Sequence, residues 1–272
     1  MKEKIQIIIL SRDRPEYLKQ AIDSVLCQKK GVMAFELIIS DNSETEDVKR
    51  LIERYYSNKD LKYIKRNSVP VREHLQLVIS ELVEKYVVLF HDDDVMHPGY
   101  VKSMSLFLTG KEIAAVGCNA LYFNDDILSL QGKMHNFDSL KRFDKQEDFL
   151  RQYLFLQGGA APFPGYVYNV KILKKIPIIS LPGGKYIDVV LLSSLLEYGP
   201  IFWIPDFLMY YRLHDSNDSN TFNPIDRIGL VNYMVANKLN KNSDPLILFR
   251  CGLWLKWIIK QDIKNVFLWR NK

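Results

Sequence analysis

The chain has 272 residues, 47% hydrophobic and 25% charged, with a net charge of +5, which suits one large α/β domain with a decorated C-terminal part and excludes a disordered chain. Cys27, Cys118 and Cys251 are odd in number and widely spaced, which argues against a disulfide framework or a zinc site and for a reducing compartment. No signal-peptide pattern follows Met1 and no apolar run is long enough to span a bilayer, so a cytoplasmic protein is expected.

Residues 5–10 are apolar except for Gln6 and end at Ser11-Arg12-Asp13-Arg14-Pro15. This reads as a buried parallel strand feeding a proline-started helix, in which Leu18, Ala21, Ile22, Val25 and Leu26 recur at helical spacing. A second strand over 35–40 ends at Asp41-Asn42-Ser43, and a helix carrying Val48, Leu51, Ile52 and Tyr55 follows. A short strand over 61–64 and a helix with Leu75, Val78, Leu82 and Val83 lead to the apolar run 86–90. The first hundred residues thus read β-α-β-α-β-α-β, the pattern of a three-layer αβα sandwich with a mostly parallel sheet.

The run 86–90 is closed by His91-Asp92-Asp93-Asp94-Val95-Met96-His97-Pro98. Carboxylates clustered at the C-terminal end of such a strand suit a hard divalent cation, Mg²⁺ or Mn²⁺, with phosphate as third party. The bland alternative is a solvated acidic turn capping the next helix. The strand before the cluster and the helix after Pro98 favour the metal reading.

Beyond Pro98 a helix with Val101, Met104, Phe107 and Leu108 precedes a strand over 114–123, then a polar stretch to about Lys145. A helix over 147–156, a turn-rich segment over 157–165, a helix over 189–196 and strands over 201–204 and 208–211 complete the reading. Asp188 opens the 189–196 helix, where a carboxylate is welcome at any helix N-terminus and is also available as a base. The segment 157–165 is either a plain connection or an acceptor-side loop.

Between residues 240 and 272 seven cations face two anions, a surplus equal to that of the whole chain, interleaved with Phe249, Trp254, Trp257 and Trp269. One local basic face argues against nucleic-acid binding. Residues 246–272 read either as a basic amphipathic helix lying on an anionic membrane or as a terminal helix packed on the domain with its lysines outward.

In order, Ser11 to Pro15, Asp41-Asn42-Ser43, His91 to Pro98, Ile187-Asp188 and Tyr211-Arg212-Leu213-His214 resemble the recurrent motifs of glycosyltransferase family 2, inverting enzymes of the GT-A fold. The resemblance spans roughly residues 5 to 220. It implies a GT-A domain over 1–220, with a nucleotide-binding half over 1–100 and an acceptor-side half over 101–220, followed by a helical extension over 221–272. It implies that Asp41 contacts the nucleotide base with Ser11, Arg12, Asp13 and Asn42 around it, and that His91 and Asp92 belong to the donor pocket. Asp93, Asp94 and His214 are implied as the metal group, Arg212 as a partner of the leaving diphosphate and Asp188 as general base. His91 stands where the family usually has the first Asp, so an Asp92-x-Asp94 registration stays open. Ile187 replaces a frequent acidic residue, and His74 falls near a frequent Asn.

The chemistry asks for the same residue types. Displacing a nucleoside diphosphate builds negative charge that a dication and fixed cations stabilise, while the acceptor hydroxyl needs a base on the opposite side. A metal-binding triplet is poorly suited to the protonated acid of a glycoside hydrolase. The expected activity is transfer of a sugar, from a UDP-sugar by preference, to a saccharide or lipid-linked acceptor of a surface polysaccharide or glycolipid. The alternatives are a non-catalytic nucleotide-sugar or glycan-binding module, and a nucleotidyltransferase, against which the absence of glycine from 11–15 weighs.

Overall fold

The computed structural model describes residues 3–124, 126–154, 163–182, 184–214, 224–237 and 239. Strands β1 (Lys4–Ser11), β2 (Ala34–Asp41), β3 (Lys62–Lys65) and β4 (Tyr86–His91) alternate with helices α1 (Pro15–Leu26), α2 (Asp47–Tyr55) and α3 (Val71–Glu81), as the apolar periodicity predicts. They pair in parallel in the order β3-β2-β1-β4. Pro15 occupies the first turn of α1, where its missing N–H costs nothing.

Beyond β4 the sheet is mixed. The chain continues through β5 (Val95–Met96), α4 (Tyr100–Leu108), β6 (Ala115–Phe123), β7 (Leu130–Lys133), β8 (Lys141–Phe143), α5 (Gln146–Leu154), β9 (Tyr166–Asn169), α6 (Val170–Leu173), α7 (Ile187–Leu195), β10 (Ile201–Arg212) and α8 (Pro224–Ala236). Strand β9 inserts antiparallel between β4 and β6, and β10 runs parallel to β6. The parallel sheet expected from the sequence therefore describes its first half, while the second combines both senses. The polar stretch before Lys145 contains the two short strands β7 and β8, each antiparallel to its neighbour.

The two strands expected over 201–204 and 208–211 are one. Pro205 has no N–H for the ladder, and the register shifts between Ile204 and Phe207 and again before Met209 absorb it as bulges.

Side chains alternate across the sheet. Ile7, Ile9, Val88 and Phe90 face α1, α2 and α4 and pack with Leu18, Ile22, Val48, Ile52 and Met104. Ile8, Val87 and Leu89 face the other layer with Val78, Phe149, Val190 and Leu230. Full burial of each large aliphatic stabilises the fold by about 1.5–3 kcal/mol. Helix α8 contributes Leu230, Val231 and Met234 to this second cluster, so the chain after residue 221 joins the core at least through Ala236. Among the described residues no helix is long and apolar enough to cross a membrane. Residues 246–272, on which the amphipathic reading rests, and 157–162 of the turn-rich segment lie outside the described residues.

Candidate active site

The parallel registers bring the strand ends into line: Ser11 pairs with Asp41, Asp41 with Lys65, and Leu10 with His91. The loops beyond them are tied together. Asn42 N–H donates to the Ser11 carbonyl at 2.8 Å, Asp13 N–H donates to Ser43 Oγ at 2.8 Å, and Asp13 Oδ1 accepts from Glu44 N–H at 3.0 Å. Asp13 sits at φ +53, a left-handed conformation that a short polar side chain tolerates when it bonds locally.

Asp41 is fully enclosed. Its Oδ1 accepts from Ser43 N–H at 2.9 Å, and its Oδ2 from the Tyr63 hydroxyl at 2.6 Å and Lys65 Nζ at 3.2 Å. Asn42, equally buried, clasps Val69: Nδ2 donates to its carbonyl at 2.7 Å and Oδ1 accepts from its N–H at 2.9 Å. Asp41 and Asn42 thus fasten loops, while their neighbours Tyr63 and Lys65 are half-buried. Behind them Ser40 Oγ meets His74 Nε2 at 2.8 Å, and burial, aided by Arg66, lowers His74 to about 4, so its imidazole is neutral.

The three aspartates after β4 have separate environments. Asp92 Oδ2 accepts from Arg12 N–H at 2.9 Å and Oδ1 lies 2.5 Å from Arg14 Nη2. Its burial, opposed by Arg14 and reinforced by Asp93, lifts the carboxyl to about 6. For Asp93, burial works upward but is outweighed by His91, Arg14 and His214, so its carboxyl is held low. Asp93 Oδ2 meets Arg14 Nη1 at 2.5 Å and His214 Nε2 at 3.0 Å. Asp94 Oδ1 accepts from Arg212 N–H at 3.0 Å, whereas its Oδ2 is buried with no hydrogen-bond partner among the described residues. Burial, with Asp93 and Asp92 beside it, pushes the Asp94 carboxyl well up.

His91, Asp93 and Asp94 each present one donor atom, all within 4.8 Å of one another. His214, implied by the resemblance as part of the metal group, lies beside this cluster, with Nε2 3.0 Å from Asp93 Oδ2 and its ring 5.6 Å from Tyr17. Arg212, only 1% exposed, donates from Nε to the Asp93 carbonyl at 2.8 Å, from Nη1 to the Asn124 carbonyl at 3.0 Å and from Nη2 to Gln20 Oε1 at 2.6 Å, between the rings of Tyr17 and Phe123. These bonds tie it to the backbone of the triplet.

Asp188, in the first turn of α7, accepts from Val189 N–H at 2.8 Å. It is partly open to solvent yet crowded by protein, and this burial raises its carboxyl to about 6. It lies near enough to Tyr168 to join burial and Tyr166 in raising that phenol. The Tyr168 ring is 5.9 Å from Phe163, which is 5.6 Å from His91. A chain of rings thus links the candidate base to the acidic edge. The approach to α7 is held by Arg72, which donates to the carbonyls of Leu181 and Gly184.

A family model described as "Glycosyl transferase family 2" matches residues 6–176, more than half of the chain. The chain belongs to glycosyl transferase family 2. It is 29% identical over 114 residues to protein CgeD of Bacillus subtilis (strain 168), covering 38% of this chain and 26% of CgeD. Among solved structures it resembles residues 1–349 of S. aureus TarS with a TM-score of 0.64, at 14% identity over 90% of this chain and 68% of that one. The same TarS fragment in complex with UDP-GlcNAc gives 0.65, at 15% identity over 90% and 69%. The chain spans about a quarter of CgeD (26%) and 41% of the longer TarS structure. At these identities the TarS likeness concerns the fold, and it agrees with a GT-A-type α/β domain.

A family 2 glycosyltransferase of the kind the motifs resemble calls for a divalent ion, and the residues present fit one. The orphaned Asp94 Oδ2, the Asp93 carboxylate and the His91 ring form a compact oxygen-and-nitrogen donor set. Sequence reasoning gave Arg14 no role of its own and did not single out Tyr63 or Lys65, which meet Asp41. Arg14 stood in the first motif, and the pairing of an arginine with an acidic triplet was the signal available.

Proposed function

We propose that the chain is an inverting glycosyltransferase that moves one sugar from a nucleoside-diphosphate donor, a UDP-sugar by preference, to a hydroxyl of a saccharide or lipid-linked acceptor in surface polysaccharide or glycolipid synthesis. The observation that carries this reading is the buried acidic edge, with its orphaned Asp94 oxygen, joined through Phe163 and Tyr168 to a carboxyl held at about 6.

Tyr63 and Lys65, anchored by Asp41, form the polar wall for the base, and Asn42 keeps the 66–70 loop in place behind them. His91, Asp93 and Asp94 would hold the ion, with His214 and Arg212 fixing the two aspartates. A bound dication neutralises charge on the leaving diphosphate, and an imidazole among carboxylates suits Mn²⁺ better than Mg²⁺. Arg14 adds a cation on the same side. Asp188 takes the proton of the acceptor hydroxyl as it attacks; a carboxyl at about 6 is largely ionised at neutral pH and more basic than an ordinary one. Single displacement with a base on the far wall inverts the anomeric carbon.

The TarS complexes with UDP-GlcNAc and UDP support a uridine donor as first choice. In this reading residues 1–100 are the donor half and 101–220 the acceptor half, and the basic, tryptophan-bearing sequence of 246–272 would bring the enzyme to a lipid-linked acceptor if it binds an anionic membrane rather than the domain. The test is calorimetric titration of UDP, GDP, TDP and CMP with and without Mn²⁺. Metal-dependent binding of one diphosphate is expected. No binding of any nucleotide in either condition would refute the reading.

A further inference from the structure

The orphaned Asp94 oxygen marks a cation site, yet the neighbouring Asp93 oxygen already carries a cation. Arg14, with its side chain 34% exposed to the cleft, places Nη2 at 2.5 Å from Asp92 Oδ1 and Nη1 at 2.5 Å from Asp93 Oδ2. Its neighbours are engaged differently. The Arg12 guanidinium turns to Glu44 at 3.2 Å and Asp13 at 3.8 Å, and Arg212 is tied to the backbone of the triplet. The guanidinium thus spans two carboxylates, hydrogen-bonded to Asp93 and in ion-pair contact with Asp92 Oδ1, which finds no hydrogen-bond partner among the described residues.

We propose that Arg14 is an exchangeable counter-ion, which shields the acidic edge until a nucleoside diphosphate offers the guanidinium a replacement anion, and only then hands Asp93 to the divalent ion. The inference rests on the donor-site reading given above. A dication drawing on Asp93 has to share that carboxylate with a guanidinium at hydrogen-bond distance, and like charges so close in a partly desolvated cleft repel strongly. Releasing Arg14 into the cleft without a partner would leave a fixed positive charge unpaired. A diphosphate removes both difficulties, because it presents bidentate oxygens to the fork that Asp92 and Asp93 vacate. Metal and nucleotide then bind as a coupled pair, each raising the affinity of the other by the same factor.

The measurement is Mn²⁺ binding, followed by water-proton relaxation or calorimetry, to the full chain and to Arg14→Gln, each with and without UDP. For the unaltered chain, weak binding of Mn²⁺ alone and a rise of about tenfold or more with UDP are expected, tenfold corresponding to ~1.4 kcal/mol. Arg14→Gln is expected to bind Mn²⁺ alone about tenfold more tightly, with the enhancement by UDP reduced by a similar factor. Arg14→Lys, which keeps the charge but cannot bridge both carboxylates, falls between them and decides the matter should Arg14→Gln fail to fold. Unchanged or weaker Mn²⁺ binding by the variants, with UDP binding preserved, overturns the exchange and leaves the donor site standing. Failure of the unaltered chain to bind Mn²⁺ or UDP in any combination overturns the donor-site reading and this proposal with it.

Discussion

Replacing Asp188 by asparagine should abolish transfer, preserve donor binding and make the protein more stable. Burial holds this carboxyl at about 6 against an ordinary 3.8. An acid whose folded value is raised gives up stability as pH climbs from its unfolded value through its folded one, because the unfolded chain releases the proton first. At ~1.4 kcal/mol per tenfold change in proton affinity the full displacement corresponds to about 3 kcal/mol at pH 8, and allowing for the partial exposure of the side chain leaves about 1–3 kcal/mol. Asparagine keeps an oxygen for the Val189 N–H and removes the charge. With about 2–4 °C of Tm per kcal/mol for a chain of this size, the variant should melt roughly 2–12 °C higher at pH 8. The gain should vanish below pH 4, where both proteins carry a neutral side chain. The assay is a pair of melting curves across pH, set beside UDP calorimetry and radiolabelled sugar transfer. A variant no more stable at pH 8 than the parent, or one that still transfers, would refute the assignment of a strained base. The parent's own transfer rate should rise with pH through about 6 and then level.

Asp93→Asn should weaken Mn²⁺-supported UDP binding by about tenfold or more, since Asp93 belongs to the donor set and anchors both Arg14 and His214; calorimetry with undiminished affinity would count against it. Asn42→Ala strips the Val69 N–H and carbonyl of their partners in a buried place and should cost about 1–3 kcal/mol in urea unfolding, which an unchanged midpoint would contradict. Gly184→Ala should lower kcat with little change in UDP affinity: Gly184 sits at φ +54, and a Cβ there would collide with the Asp226 carboxylate just ahead of α7. Intact turnover in that variant would show that the approach to Asp188 tolerates rearrangement.

The first half of the fold was legible because its physics is local. Strands buried on both faces read as continuous apolar runs, and each ends abruptly in polar residues at the same sheet edge, so Ser11, Asp41 and the Asp92–Asp94 triplet could be aligned without coordinates. The second half depends on pairing across long separations. Strand β9 is four residues long and follows a proline-rich turn, and nothing in Tyr166–Asn169 announces that it will slot antiparallel between β4 and β6.

Side-chain direction was lost for a related reason. Alternation predicts a strand's two faces only while the register is unbroken, and β10 carries two register shifts between Ile204 and Met209. Parity counted along the chain therefore says nothing of where Arg212 points, and its side chain is enclosed, bonded to the backbone of Asp93 and Asn124. A broader pattern follows from the same site. Ser11, Asp41, Asn42, Asp92 and Arg212, all flagged by residue type and motif, are no more than 1% exposed, while Arg14, Tyr63 and Lys65 are more open. A buried polar group must satisfy its hydrogen bonds, which restricts the residue types a position accepts and makes it recognisable. A group that meets a ligand through solvent is under weaker local constraint. That constraint accounts for the five buried positions; Arg12 and Asp13, flagged by the same motif, are more open than Arg14, and what the structure adds for Arg14, itself a member of the Ser11–Pro15 motif, is its contact with Asp92 and Asp93.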